Sequence, residues 1–168
     1  MGTIMKNTTE NSLLEILEKD SRISAKNLAA MLDKEEGDIK KMINDLEAEG
    51  KILGYTALID WDKTDKEYVT AIIELKVTPQ RDRGFDKVAE RIYSFPEVKN
   101  MYLMSGSYDF SLIIEGKTMK EVAFFVAEKL APIDSIVSTA THFVLRKYKH
   151  DGVIYAASPE VDERRNCN

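Results

Sequence analysis

The chain has 168 residues, 43% of them hydrophobic and 32% charged, with 24 Lys plus Arg against 29 Asp plus Glu, a formal net charge of −5. That balance builds a globular core and excludes a generally basic nucleic-acid coat, leaving room only for a local basic patch. No apolar run reaches the ~20 residues of a membrane helix, and Met1 to Glu10 lacks a secretory apolar segment, so a cytoplasmic chain with no membrane partner is expected. One cysteine, Cys167, and two histidines exclude an internal disulfide and a Cys/His zinc cage, and neither a metal nor a cofactor is expected.

From Thr9 to about Leu53 the apolar spacing is helical. Leu13, Leu14, Ile16 and Leu17 form the stripe of a first helix. Ser24 is placed to cap a second, with Ile23 at the staple position against Leu28, and Leu28, Met31 and Leu32 predicted to face inward. A third helix is predicted from about Glu35 to Glu49 on the buried face Ile39, Met42, Ile43 and Leu46, with Gly50 ending it. Lys51 to Ile59 reads as a strand pair or wing. A tight turn between the second and third helices makes a helix-turn-helix unit, whose third helix would enter the major groove of DNA. The same pattern fits a plain three-helix bundle, and the spacing leaves both open.

The stretch Asp60 to Lys66 is polar and reads as a linker. Beyond it the order is β-α-β-β-α-β. The predicted strands are Tyr68 to Val77, Val98 to Met104, Phe110 to Glu115 and Ile136 to Tyr148. The predicted helices carry Phe85, Val88, Ala89, Ile92 and Tyr93, and then Val122, Ala123, Phe125, Val126 and Leu130 after a Thr118 cap. This is the ferredoxin-like arrangement, α+β with two helices on one face of an antiparallel sheet. The other face, expected to be apolar, would be covered by a second copy of the chain. The division expected is a winged helix-turn-helix domain with linker strand at 1–60, a linker at 61–66, a ferredoxin-like domain at 67–150 and a tail at 151–168.

This order of parts resembles the Lrp/AsnC family, the feast/famine regulators, from about Thr9 to Lys149. Five segments carry the resemblance: Arg22-Ile23-Ser24; Leu46-Glu47-Ala48-Glu49-Gly50-Lys51-Ile52; Gly54-Tyr55-Thr56-Ala57; Phe95-Pro96-Glu97-Val98; and Ser105-Gly106-Ser107-Tyr108-Asp109-Phe110. The resemblance implies a homodimer built by the ferredoxin-like domains, often assembled into octamers. It implies a small effector, usually an amino acid, bound between those domains, and transcriptional control of amino-acid metabolism as the output. Siroheme decarboxylases share the two-part architecture, but the W-P-Y-N-L-F-like segment of that family is missing here. A third reading keeps amino-acid sensing and loses DNA binding.

The residues expected to touch double-stranded DNA are Lys40, Lys41 and Asn44 on the third helix, Lys26 and Asn27 on the second, Arg22 before it, and Lys51 at the wing. Glu35, Glu36 and Asp38 crowd the first turn of the third helix, where they suit the helix dipole but repel phosphate. For a zwitterionic effector, Asp109 can accept from an ammonium, and main-chain donors of the Gly106, Ser107 and Tyr108 turn can hold a carboxylate. By the resemblance, Thr139, Thr141, His142, Phe143 and Val144 form a far wall and Met119 contributes from the start of the last helix. The spacing contains no nucleophile triad, so no enzyme activity is expected.

Overall fold

The computed structural model describes residues 2–79 and 84–155, with side chains from Thr8 onward. They form two compact units that meet in the chain between Ile59 and Asp60.

Unit one holds α1 (Gly2–Lys19), α2 (Ala25–Leu32) and α3 (Glu36–Ala48). Its core is Leu13, Leu17, Leu28, Ala29, Ile39 and Leu46, with Ile23, Leu32, Met42, Ile43 and Ile52 packed around it. The Ser24 hydroxyl accepts from the Asn27 N–H at 3.2 Å, which starts α2. Met31, expected to face inward, is 59% exposed. Ala29 takes the core position instead and turns that face of α2 away from Met31. The chain leaves α2 through Asp33 in the left-handed region, at φ 52°. Gly50, at φ 69°, ends α3, and the Lys51 and Ile52 N–H groups both donate to the Leu46 carbonyl at 2.9 and 3.1 Å. The expected wing is not formed as strands: Leu53 to Ile59 runs without ladder partners, and Leu53 is 94% exposed. A strand needs a neighbouring backbone to satisfy its N–H and C=O groups, and unit one offers none within the chain.

Unit two opens with a single 3₁₀ turn, Trp61–Lys63, inside the expected linker. It continues with β1 (Val69–Val77), α4 (Asp86–Tyr93), β2 (Val98–Leu103), β3 (Phe110–Gly116), α5 (Met119–Phe125) and β4 (Ile136–Phe143). The sheet order is β2-β3-β1-β4, antiparallel throughout, which is the ferredoxin-like order. Thr118 caps α5, accepting from the Glu121 N–H at 3.1 Å, and one π-helical turn, Val126–Leu130, carries α5 onward. The helices bury one face: Ala71, Ile73, Leu75 and Val77 of β1 and Phe110, Leu112 and Ile114 of β3 pack on Val88, Ile92, Val122, Phe125 and Leu130.

The face away from the helices is mixed, not the apolar face expected from the Val69 to Val77 stripe. That stripe is what the helices cover. Strand alternation sends Thr70, Ile72, Glu74 and Lys76 the other way, beside Ser111, Ile113 and Glu115.

β4 ends at Phe143, short of the expected Tyr148. A small hairpin follows, β5 (Lys149–His150) against β6 (Val153–Ile154), turning at Asp151 (φ 44°) and Gly152 (φ 79°). Positive φ at both central residues is the two-residue hairpin turn that Asp-Gly favours. Expectations for the tail past Tyr155, Cys167 included, lie outside the described residues.

Candidate functional site

On α3 the apolar residues Ile39 and Leu46 are buried, and Lys40, Lys41 and Asn44 are exposed. At 100° per residue, Gly37, Lys40, Asn44, Ala48 and Lys41 fall within an arc of about 100° opposite that buried face. The carboxylates of Glu36, Asp38, Asp45 and Glu47 flank the arc on both sides. Its centre therefore carries two cations, an amide and two small residues. An added Cβ at Gly37 would meet nothing within 4 Å, so the backbone there is open to close approach. Gly37 and Ala48 escaped the sequence reading, although a helical wheel would have shown them.

The cations are not equally available. Lys40 Nζ lies 2.6 Å from Glu36 Oε1, one turn back. Lys51 Nζ lies 2.6 Å from Glu49 and 3.5 Å from Glu10. The hydrogen bond that Lys51 donates to Glu49 raises the pKa of the ammonium above the ordinary lysine value, against the opposing effect of desolvation. Lys51 is thus paired with carboxylates on the surface of unit one. Nearby, the Tyr55 hydroxyl donates to Glu47 at 2.8 Å, and burial together with that carboxylate pushes its pKa up. Lys41 lines a cavity of about 420 Å³ with Asp38, Asp45 and Glu49. At the entry to α2, Arg22, Lys26 and Asn27 are exposed, and the Arg22 N–H donates to Asp20 Oδ1 at 3.0 Å.

In unit two the turn Ser105–Asp109 is anchored at three points. The Met104 N–H donates to the Asp109 carbonyl, the Asp109 N–H to the Leu75 carbonyl, and the Val77 N–H to Asp109 Oδ2, each at 2.8 Å. The last bond sits where β1 shifts register against β4, between Lys76 and Val77. Asp109 is therefore half-buried and oriented by β1, while Gly106 and Ser107 are exposed at the turn's tip.

The other expected effector residues do not join this turn within one chain. Thr139, Thr141 and Phe143 stand opposite Leu75, Ile73 and Ala71 and point to the helix side of the sheet. His142 stands opposite Ile72 on the open face, with Nε2 3.7 Å from Glu74 Oε1. The period of two forbids consecutive residues 139–144 from forming one wall. Only Thr139 lies near the turn's end of the sheet. Phe143, Val144 and Met119 lie at the far end, where β3 finishes at Gly116, about 20 Å away at the usual strand rise.

Comparison with known proteins agrees with this architecture. The family profile for winged helix-turn-helix DNA-binding domains matches residues 6–52, and that for the Lrp/AsnC ligand binding domain matches residues 70–154. The chain is 52% identical over 147 residues to the uncharacterised HTH-type transcriptional regulator YugG of Bacillus subtilis, covering 87% of this chain and 89% of that one. Its fold matches the crystal structure of PH0061 with a TM-score of 0.73, at 25% identity, over 87% of this chain and 96% of that one. It also matches the transcriptional regulator NMB0573 of Neisseria meningitidis, solved as an L-Met complex, with a TM-score of 0.68, at 21% identity, over 84% and 91% of the two chains. The fold and the two profiles define a DNA-binding transcriptional regulator with a ligand-binding domain. The chain belongs to the Lrp/AsnC family. Among the described residues, no helix is long and apolar enough to cross a membrane.

Proposed function

We propose that this regulator reads specific DNA sites with α3 and answers to an amino acid held at the Ser105–Asp109 turn between copies of the chain. It acts by binding alone, in the control of amino-acid metabolism. The observation that carries the reading is the three-point anchoring of Asp109. A carboxylate oriented by the Val77 N–H offers its charge to an ammonium, and the main-chain N–H groups at the tip can hold a carboxyl group. The remaining effector residues, Met119, Phe143 and Val144, stand at the opposite end of the sheet, so a site using both sets takes them from two chains. The L-Met complex of the Neisseria regulator supports an amino acid as the class of ligand. Effector binding would favour one arrangement of the assembled copies and so set the spacing of α3 pairs along DNA.

Calorimetry with each of the twenty amino acids tests the sensing half. One of them is expected to bind, and Asp109→Asn to bind it ten- to a hundredfold more weakly, about the worth of one charge-assisted hydrogen bond. Equal affinity in that variant sinks the ammonium pairing. For the DNA half, Lys40→Ala with Lys41→Ala is expected to weaken binding to the gene's own promoter and to lower the log–log salt slope by about 2 per helix. A second reading, sensing without a DNA grip, is favoured by the Lys40–Glu36 and Lys51–Glu49 pairs. Unchanged promoter affinity in the double variant would support it.

A further inference from the structure

Asn44 sits in the third turn of α3, exposed and within about 30° of the direction opposite Ile39 and Leu46 at 100° per residue. An asparagine in a helix interior is a weak helix former whose amide competes for nearby groups. Here, among the described residues, no hydrogen bond engages that amide. The neighbours able to engage it are held elsewhere. Lys40, one turn before, can donate to the amide oxygen, but its Nζ lies 2.6 Å from Glu36 Oε1. Glu47, three residues on, can accept from the amide nitrogen, but it accepts from the Tyr55 hydroxyl at 2.8 Å instead. Lys41 lines the cavity on the opposite flank with Asp38 and Asp45. Both halves of the amide, acceptor and donor, stay open to an incoming partner.

A short side chain reaches a base edge only where its helix seats closely in the groove. Gly37 and Ala48 share the stripe of Asn44, and an added Cβ at Gly37 would meet nothing within 4 Å. Neither residue is large enough to hold the helix off, whereas the lysines at the margin are long enough to reach phosphate from a distance. The amide then selects its base by chemistry. In the major groove adenine presents an N6 donor beside an N7 acceptor, which an amide meets with two hydrogen bonds. Guanine presents two acceptors, cytosine a donor, and thymine an acceptor beside a methyl group, so none of them satisfies both halves.

We propose that Asn44 is the residue by which α3 tells one base from another, and that it reads an adenine in the major groove. The inference rests on α3 being the helix that enters DNA, as proposed above; it adds which side chain discriminates and which base is selected. Lys40 and Lys41 supply phosphate attraction, which is equal for every sequence, and Asn44 supplies preference.

The test uses the full chain, a pool of duplexes with a randomised segment, and sequencing of those it retains. Wild type is expected to select sites that hold adenine at one fixed position of each half-site. Replacing that A·T pair by G·C should cost wild type about tenfold or more in affinity. Asn44→Ala keeps the helix, since alanine is the better helix former, and a melt no lower than that of wild type is expected. The variant should be indifferent at that position alone and bind the A·T and G·C duplexes alike. Its log–log salt slope should equal that of wild type, because no charge is removed. Unchanged selection by Asn44→Ala overturns the proposal. So does a loss spread evenly over every sequence, which makes Asn44 a backbone contact, or a lost preference for a base other than adenine. Lys40→Ala with Lys41→Ala separates this inference from the reading of α3. If the lysine variant loses slope while Asn44→Ala selects as wild type does, α3 stands and this inference alone fails. If wild type selects sequence and neither variant changes slope or selection, both fail. Wild type that selects no sequence overturns this inference whatever the lysines do.

Discussion

Asp33 holds a left-handed backbone, φ 52°, at the turn between α2 and α3. An aspartate tolerates that region better than most residues but still less well than glycine. Its charge also stands at the C-terminal end of α2, where the helix dipole disfavours an anion. Asp33→Gly is therefore expected to stabilise unit one by about 0.5–1 kcal/mol, since it relieves the strain at a turn that already demands positive φ. A thermal melt that falls, or does not move, would show that the aspartate carries a favourable contact outweighing its backbone. Ser24 and Thr118 were legible as caps because a hydroxyl before an apolar helical run has few other uses. Asp109 was legible as a key residue, but its bond to the Val77 N–H was not. That bond joins residues 32 apart and depends on the register shift in β1.

At the scale of elements, one ion pair ties the start of β2 to the π turn after α5. Glu97 Oε1 accepts from Lys129 Nζ, and both side chains are partly buried. Burial alone would raise the Glu97 pKa, but the Lys129 hydrogen bond, a hydrogen bond from its own backbone N–H and the charges of Lys129 and Lys99 together outweigh it and hold the carboxyl below the ordinary glutamate value. As pH falls, the unfolded chain takes up this proton before the folded one. The pair's stabilisation is thus complete above the usual carboxylate range and is lost as pH drops through and below it. Glu97→Gln should cost about 1 kcal/mol at neutral pH, and the gap to wild type should close on acidification below about pH 4. A gap that stays constant with pH would mean the glutamine changes packing rather than charge. Sequence named Glu97 only as part of the Phe95-Pro96-Glu97-Val98 turn. Nothing in spacing pointed to Lys129, because the fold alone brings the two elements together. The Asp151-Gly152 hairpin is the reverse case, a local signal passed over where the sequence was read as the start of the tail.

At the scale of the molecule, the sheet leaves one face without helices. Ile72, Ile113, Tyr102 and Ala140 share it with Glu74, Ser111 and His142. Apolar residues on an uncovered sheet suit a second copy of the chain better than water, and two such faces meeting around a central dyad make a closed dimer. The full chain is expected to be at least a dimer by light scattering, and Ile113→Glu to shift it toward monomer. A clean wild-type monomer at micromolar concentration would also remove the effector site proposed between copies. The sequence by itself determined the helical first unit, the βαββαβ order and the family, because hydrophobic period, caps and turn motifs are local and survive without coordinates. Only the tertiary structure decided which face of each strand is buried, that His142 stands beside Glu74 on the open face, and that Met119 lies a sheet's length from Asp109. Those facts depend on register and on contacts between residues far apart in sequence, which periodicity does not encode.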